Sequence, residues 1–298
     1  MADINLKGMG VALITPFKDD ESVDYDALSK LVDYQVQNGT DYLVVLGTTA
    51  ETPTLTEEEK KKIISLVVTK VNGRIPIVLG VGGNCTRTIV EKLKNDNFDG
   101  IDAILSVVPY YNKPSQEGIY QHYKAIAGAT KLPIVLYNVP GRTGCNLLPE
   151  TVAELVKTQK NVVGLKEATG NLAQASKTMS LTDGKLDLYS GEDGLVVPLM
   201  SIGAKGVISV WSNVAPKQVH DMCASFLAGD IETARRMQFE ALPLIDALFS
   251  EVNPIPVKKA MNLMGMQVGS LRAPLCEMSE ENAAKLAEVM KAYGLKLA

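Results

Sequence analysis

The stretch VVGLKEATGN, residues 162–171, reads as a strand with one residue out of keeping. Along a strand Val162, Gly164 and Lys166 share one face, and Val163 and Leu165 the other. A lysine thus stands inside an apolar strand, on the face that also carries a glycine. Burial disfavours the charged ammonium, so the position suits an amine nucleophile better than a solvated cation. An unprotonated lysine can attack a ketone and form a Schiff base. The plainer reading is a lysine at a strand end with its head in water, because lysines are rarely fully buried unless paired. The sequence on either side decides between the two.

Seven further apolar, β-rich runs flank this one at fairly regular intervals. They are GVALITPF (10–17), YLVVLG (42–47), PIVLGVGG (76–83), DAILSVVP (102–109), PIVLYNV (133–139), LDLYSGED (186–193) and GVISV (206–210). Helix-like segments lie between them. Asp24 is a plausible N-cap ahead of Leu28, Leu31, Val32, Gln35 and Val36. Thr56 to Glu59 forms a capping box ahead of Ile63, Ile64 and Val67, and Ser115 opens a helix through Tyr120 and Tyr123. Eight strand–helix alternations with near-continuous apolar strands predict a closed parallel (β/α)8 TIM barrel rather than an open doubly wound sheet. The units are of similar size, and no GxGxxG or GxxxxGKS follows the first strand. After Val210 no strand-like run remains. Residues 1–229 are therefore expected to form the barrel and 230–298 a C-terminal helical extension, with a loop over 250–256 punctuated by Pro254 and Pro256.

Composition fits this reading and narrows the chemistry. The chain has 298 residues, 46% hydrophobic and 21% charged, enough to bury a large core. A net charge of −4 gives no basic face, which argues against nucleic acid and anionic membrane as partners. Cys85, Cys145, Cys223 and Cys276 are widely spaced, without a CxxC, so neither a disulfide scaffold nor a zinc site is expected. His122 and His220 are the only histidines, too few for a histidine metal site. No run has the length of a membrane span and no apolar leader opens the chain, so the expected location is cytoplasmic.

In such a barrel the active site lies at the C-terminal ends of the strands. Those ends carry Thr48, Thr49, Ala50 and Glu51 after the second run, and Tyr110 and Tyr111 after the fourth. Tyr137, Asn138 and Arg142 follow the fifth run, and Gly191, Glu192 and Asp193 the seventh. One inward lysine is joined there by hydroxyls and one arginine, a set suited to carbonyl chemistry on a carboxylated substrate. Glu167 should face the helices and receives no catalytic role. Taken singly, each residue has a plainer reading: Tyr137 as an ordinary strand aromatic, Tyr110 and Tyr111 as surface or interface aromatics, Arg142 as a solvated loop charge, Thr48 and Thr49 as caps.

The segments GTTAET, PYYNKPSQEGIYQHYKAIA, YNVPGRTG, VVGLKEATGN, GVISV and NPIPVK together resemble the dihydrodipicolinate synthase family. That family belongs to the class I pyruvate-dependent aldolases. The resemblance runs over essentially the whole chain and implies roles by position. Lys166 would form the Schiff base with pyruvate, and Tyr137 would move protons beside it. Thr48 and Tyr111 would complete a relay to solvent, with Tyr111 lent to a neighbouring subunit. Thr49 and the backbone at Ile208 would hold pyruvate, with Gly191 also at the substrate. Arg142 would bind the carboxylate of L-aspartate 4-semialdehyde. The implied assembly is a homotetramer, a dimer of dimers, and no metal or organic cofactor is implied. Two alternatives stay open: a pyruvate lyase acting on a sialic acid or a 2-keto-3-deoxy sugar acid, and a silent barrel that binds a 2-oxo acid. Arg142 discriminates against the first, and the intact Lys–Tyr–Thr–Tyr set speaks against the second.

Two departures carry expectations. Ala50 stands where the family usually has glycine, which would cost energy if the position needs a positive φ. An interface site for inhibitory L-lysine would match Thr52, Pro53, Glu57, Lys60, Asn84, Thr88 and Tyr110. Sensitive relatives offer a carboxylate where Thr88 stands, and a histidine or glutamate at Lys60. Glu57, one helical turn earlier, is placed to pair with Lys60. Weak or absent inhibition is therefore expected.

Overall fold

The computed structural model describes residues 4–298. Eight strands close into a barrel in sequential order. They are β1 (Gly8–Ala12), β2 (Tyr42–Val45), β3 (Ile77–Gly80), β4 (Ala103–Val107), β5 (Ile134–Asn138), β6 (Val162–Glu167), β7 (Asp187–Ser190) and β8 (Gly206–Ser209). The helices are α1 (Tyr25–Gln37), α2 (Glu57–Val71), α3 (Thr86–Asn95), α4 (Gln116–Ala129), α5 (Pro140–Thr143), α6 (Pro149–Thr158), α7 (Leu172–Leu181) and α8 (Val196–Ser201). After β8 come α9 (Pro216–Leu227), α10 (Ile231–Leu248), α11 (Ile255–Leu263) and α12 (Glu280–Ala292). The expected parallel barrel is thus present, and each of its strands is largely or wholly buried, as near-continuous apolar runs require.

By their contacts the residues fall into two compact units. One comprises Gly8–Pro76 and Ser209–Ala298, and the other Ile77–Ile208 with residues 4–7. In the first, β1 pairs in parallel with β2, aligning Val11 with Leu43. The Asp24 carboxylate accepts the Ala27 N–H at 2.9 Å and caps α1, which buries Leu28, Leu31, Val32 and Gln35. Buried Gln35 donates to Ser212 O at 3.1 Å and accepts from Thr40 Oγ1 at 2.6 Å, so its amide is satisfied. The capping box of α2 is formed in both directions between Thr56 and Glu59.

In the second unit β3 to β8 run in parallel register. Ser115 caps α4 by accepting the Gly118 N–H at 3.3 Å. Buried Tyr123 from that helix donates its hydroxyl to Ser106 O at 2.9 Å. Its neighbour His122 shares a hydrogen bond with Thr86 Oγ1 at 2.8 Å, and burial holds the imidazole down to about 4.

One boundary differs from expectation. The loop ends at Pro254, and Pro256 lies in the first turn of α11. An N–H missing there removes no intrahelical bond, so a proline that reads as a loop signal instead starts a helix. Among the described residues no helix is long and apolar enough to cross a membrane.

Candidate active site

Lys166 is 6% exposed and Tyr137 7%. Parallel pairing of β5 with β6 puts the two opposite each other, and Lys166 Nζ lies 4.5 Å from the centroid of the tyrosine ring. The lysine is therefore buried, and its head does not reach into water as the plainer reading of its strand would have it. Gly191 makes room for the lysine, while Gly164 on the same strand admits the neighbouring strand and side chains. A Cβ at Gly191 would fall 2.7 Å from Ala168 Cβ and 3.1 Å from Lys166 Cε. At Gly164 it would meet Asp187 O and Tyr189 Cε2, both at 3.0 Å. Glu167 accepts the Thr169 N–H at 2.7 Å, and burial raises its carboxyl above the ordinary glutamate value. It lines a small cavity with Leu172, Leu195 and Leu199, on the helical side of the strand.

Arg142 sits in the single-turn helix α5 and is exposed, while Gly144 closes that turn with φ 66°. Thr143 donates to Cys145 O at 2.8 Å. A residue to which sequence reasoning gave no role holds this segment in place. Asn138, fully buried at the end of β5, donates to Asn146 Oδ1 at 2.9 Å and Leu147 O at 3.1 Å, and accepts the Leu147 N–H at 3.0 Å. A buried amide bonded to the Asn146 side chain and to both backbone groups of Leu147 fixes the loop that carries the arginine. Ile208 is buried in β8. Tyr110 is 40% exposed and Tyr111 89%, the latter with φ 70°, uncommon for a non-glycine residue.

In the other unit Thr48, Thr49 and Ala50 form a 3-10 turn directly after β2. Ala50 is helical there, so the anticipated cost of replacing glycine does not arise. The positive φ values fall on Leu46 (56°) and Glu51 (54°). Ala50 O accepts from Thr15 Oγ1 at 2.7 Å, and Thr49 Oγ1 accepts from Asn253 Nδ2 at 3.0 Å. Glu51 is buried against Lys258, 2.9 Å from its Nζ, and accepts the Arg272 N–H at 3.0 Å. Burial pulls the Lys258 ammonium below the ordinary lysine value, while Glu51 pushes it back up. Sequence reasoning gave Glu51 and Lys258 no role and did not pair them, since 207 positions separate them.

The residues matching a lysine pocket are distributed over both units. Thr52 Oγ1 donates to Gly47 O at 2.8 Å, and Glu57 pairs with Lys60 at 2.8 Å, as their spacing suggests. In the other unit Asn84 O accepts from Asn112 Nδ2 at 3.2 Å, and Thr88 is exposed and hydrogen-bonded to Cys85.

The sequence profile of the Dihydrodipicolinate synthetase family matches residues 5–293. A 4-hydroxy-tetrahydrodipicolinate synthase of Parabacteroides distasonis is 62% identical, over 99% of this chain and 100% of its own. One of Phocaeicola vulgatus is 53% identical with the same coverage. Among solved structures, dihydrodipicolinate synthase of Thermotoga maritima superposes with a TM-score of 0.94 at 46% identity, covering 97% of this chain and 99% of that one.

Proposed function

The chain belongs to the dihydrodipicolinate synthetase family, and on that premise we infer how it condenses pyruvate with L-aspartate 4-semialdehyde to 4-hydroxy-tetrahydrodipicolinate. It is a lyase of the class I aldolase type, acting at the first committed step of diaminopimelate and lysine biosynthesis. The observation that carries the mechanism is a buried Lys166 whose amine lies against the Tyr137 ring.

Unprotonated Lys166 attacks the pyruvate ketone, and loss of water leaves an iminium. The positive nitrogen draws electrons from the methyl group, a proton leaves, and an enamine results. Its carbon adds to the semialdehyde carbonyl. The amino group of the adduct then displaces Lys166 and closes the ring, returning the free amine. Tyr137 carries protons to and from the reacting atoms, with Thr48 and Tyr111 linking it to solvent. Thr49 and the backbone at Ile208 hold the pyruvate carboxylate, and Gly191 leaves space beside the lysine. Arg142 binds the carboxylate of the second substrate.

We propose that the enzyme works as a homotetramer, a dimer of dimers. The support is the exposure of Tyr111, 89%, which leaves its ring available to another subunit. The cytoplasmic location is proposed on the biosynthetic class of the reaction. Weak inhibition by L-lysine is supported by the Glu57–Lys60 pair, which leaves Glu57 less able to compensate the added positive charge.

The test sets pyruvate plus L-aspartate 4-semialdehyde against pyruvate plus N-acetylmannosamine. Turnover of the first pair alone is expected, and turnover of the second alone would overturn the assignment in favour of a sugar-acid lyase.

A further inference from the structure

The Glu51–Lys258 ion pair has no part in the reaction described above, yet both side chains are only 1% exposed. Removing two charges from water is costly, and an apolar pair of similar volume often does as well for stability. What such a pair can supply is geometry, and here every partner is assigned. Glu51 accepts from Lys258 Nζ with one oxygen and from the Arg272 N–H with the other. Lys258 also donates to Ser270 O at 2.5 Å and lies 4.2 Å from the centre of the Phe17 ring.

The clamped residue occupies a conformation that needs holding. Glu51 has φ 54° and joins two 3-10 turns, Thr48–Ala50 and Thr52–Thr54. A non-glycine residue keeps that left-handed backbone only where its surroundings over-determine it. The first of those turns carries the two threonines assigned to the proton relay and to pyruvate. The segment that bears Lys258 reaches one of them directly, since Asn253 Nδ2 donates to Thr49 Oγ1. An oxygen that accepts this bond must send its own hydrogen elsewhere, which makes the hydroxyl a donor for an anion.

We propose that Glu51, Lys258 and Asn253 are positioning residues for the 2-oxo acid, fixing the Thr48–Thr49 turn and the direction of the Thr49 hydroxyl so that it donates to the substrate carboxylate. This rests on the reading of Thr49 as the pyruvate ligand. It separates the two substrates: pyruvate affinity depends on the clamp, and semialdehyde affinity does not.

The experiment uses the full-length chain and the variants Glu51→Gln, Lys258→Met, Lys258→Arg and Asn253→Ala. Borohydride trapping across a pyruvate titration gives the half-saturating concentration. Steady-state assays give the KM of each substrate, and thermal melting reports folding. Glu51→Gln and Lys258→Met are expected to raise half-saturating pyruvate roughly tenfold with the semialdehyde KM unchanged. Lys258→Arg, which keeps the cation, should lie closer to the native enzyme than Lys258→Met. Asn253→Ala removes no buried charge and should move the same readout in the same direction. It decides the matter alone if the ion-pair variants do not fold. A folded Asn253→Ala or Glu51→Gln that saturates with pyruvate as the native chain does, whatever its melting temperature, overturns the proposal and leaves the pair a structural brace. If the native chain itself forms no pyruvyl adduct, the Schiff-base reading fails and takes the proposal with it.

Discussion

Gly191 sets the room available to Lys166, the proposed nucleophile, and Gly191→Ala measures it. The added methyl carbon would sit 2.7 Å from Ala168 Cβ, 3.1 Å from Glu167 O and 3.1 Å from Lys166 Cε. Carbon atoms pack best at about 3.5–4.0 Å, so two of these contacts need relief of roughly 0.5–1 Å. The alanine carbon is tied to the backbone. The Glu167 carbonyl is held by the Gly191 N–H at 2.7 Å. The lysine chain is left as the part that moves, and it bears the amine proposed to react. The φ of Gly191 lies outside the left-handed region, so the effect is steric and not a backbone penalty. Overpacking of this kind costs about 1–3 kcal/mol of stability. Displacing a reacting group by about 1 Å costs on the order of a hundredfold in rate. The expected outcome is a melting temperature lowered by a few degrees and a rate of pyruvyl-adduct formation, followed by rapid mixing and borohydride quench, down roughly ten- to a hundredfold. A folded Gly191→Ala that forms the adduct at the native rate would refute the reasoning, because Lys166 would then not be confined from this side.

Borohydride reduction in the presence of pyruvate should add one pyruvyl unit to the peptide containing Lys166, and Lys166→Ala should neither label nor turn over; label on another lysine would contradict the assignment. Arg142→Ala is expected to raise the KM for the semialdehyde by about ten- to a hundredfold, with little effect on pyruvate. Activity titrated against L-lysine should fall only weakly, and strong inhibition at low lysine would reveal an acid recruited to the pocket. His122 makes acid stability a readout of burial. Its folded value of about 4 lies below the ordinary 6.5, so the unfolded chain binds the extra proton across that window. Stability should therefore be intact above pH 6.5 and decline as pH falls toward 4, by about 3 kcal/mol at most. His122→Asn should flatten that slope in urea titrations at stepped pH.

The parts of this molecule that announce themselves locally were legible in its sequence. Near-continuous apolar runs marked the strands, Asp24, Thr56 and Ser115 marked helix starts by short-range capping, and one lysine in an apolar strand marked a buried amine. What stayed hidden was set by residues far apart or by sterics. The Glu51–Lys258 pair spans 207 positions, and nothing near either residue hints at the other. Asn138 reads as one polar residue in YNVP until its amide is seen to hold the Asn146 side chain and the Leu147 backbone. Pro256 carries the same local signal whether it ends a loop or begins a helix, and only the backbone around it decides. The position of Ala50 in a helical turn likewise depends on where the positive φ values fall, one residue beyond and four before.

The long span between Glu51 and Lys258 also bears on how the chain is made. A ribosome adds about 5–20 residues each second, so Glu51 exists for roughly 10–40 s before Lys258 has been synthesised. During that interval its carboxylate has no cation to justify burial, and Asn253 and Arg272 are missing as well. The first two strands and their helices thus wait for the last ninety residues, Ser209–Ala298, that complete their unit. Such a nascent chain exposes apolar β1 and β2 for tens of seconds, the condition in which holdase chaperones compete with aggregation. Slowed translation of the middle of this message should lower soluble yield without changing a single contact of the finished protein.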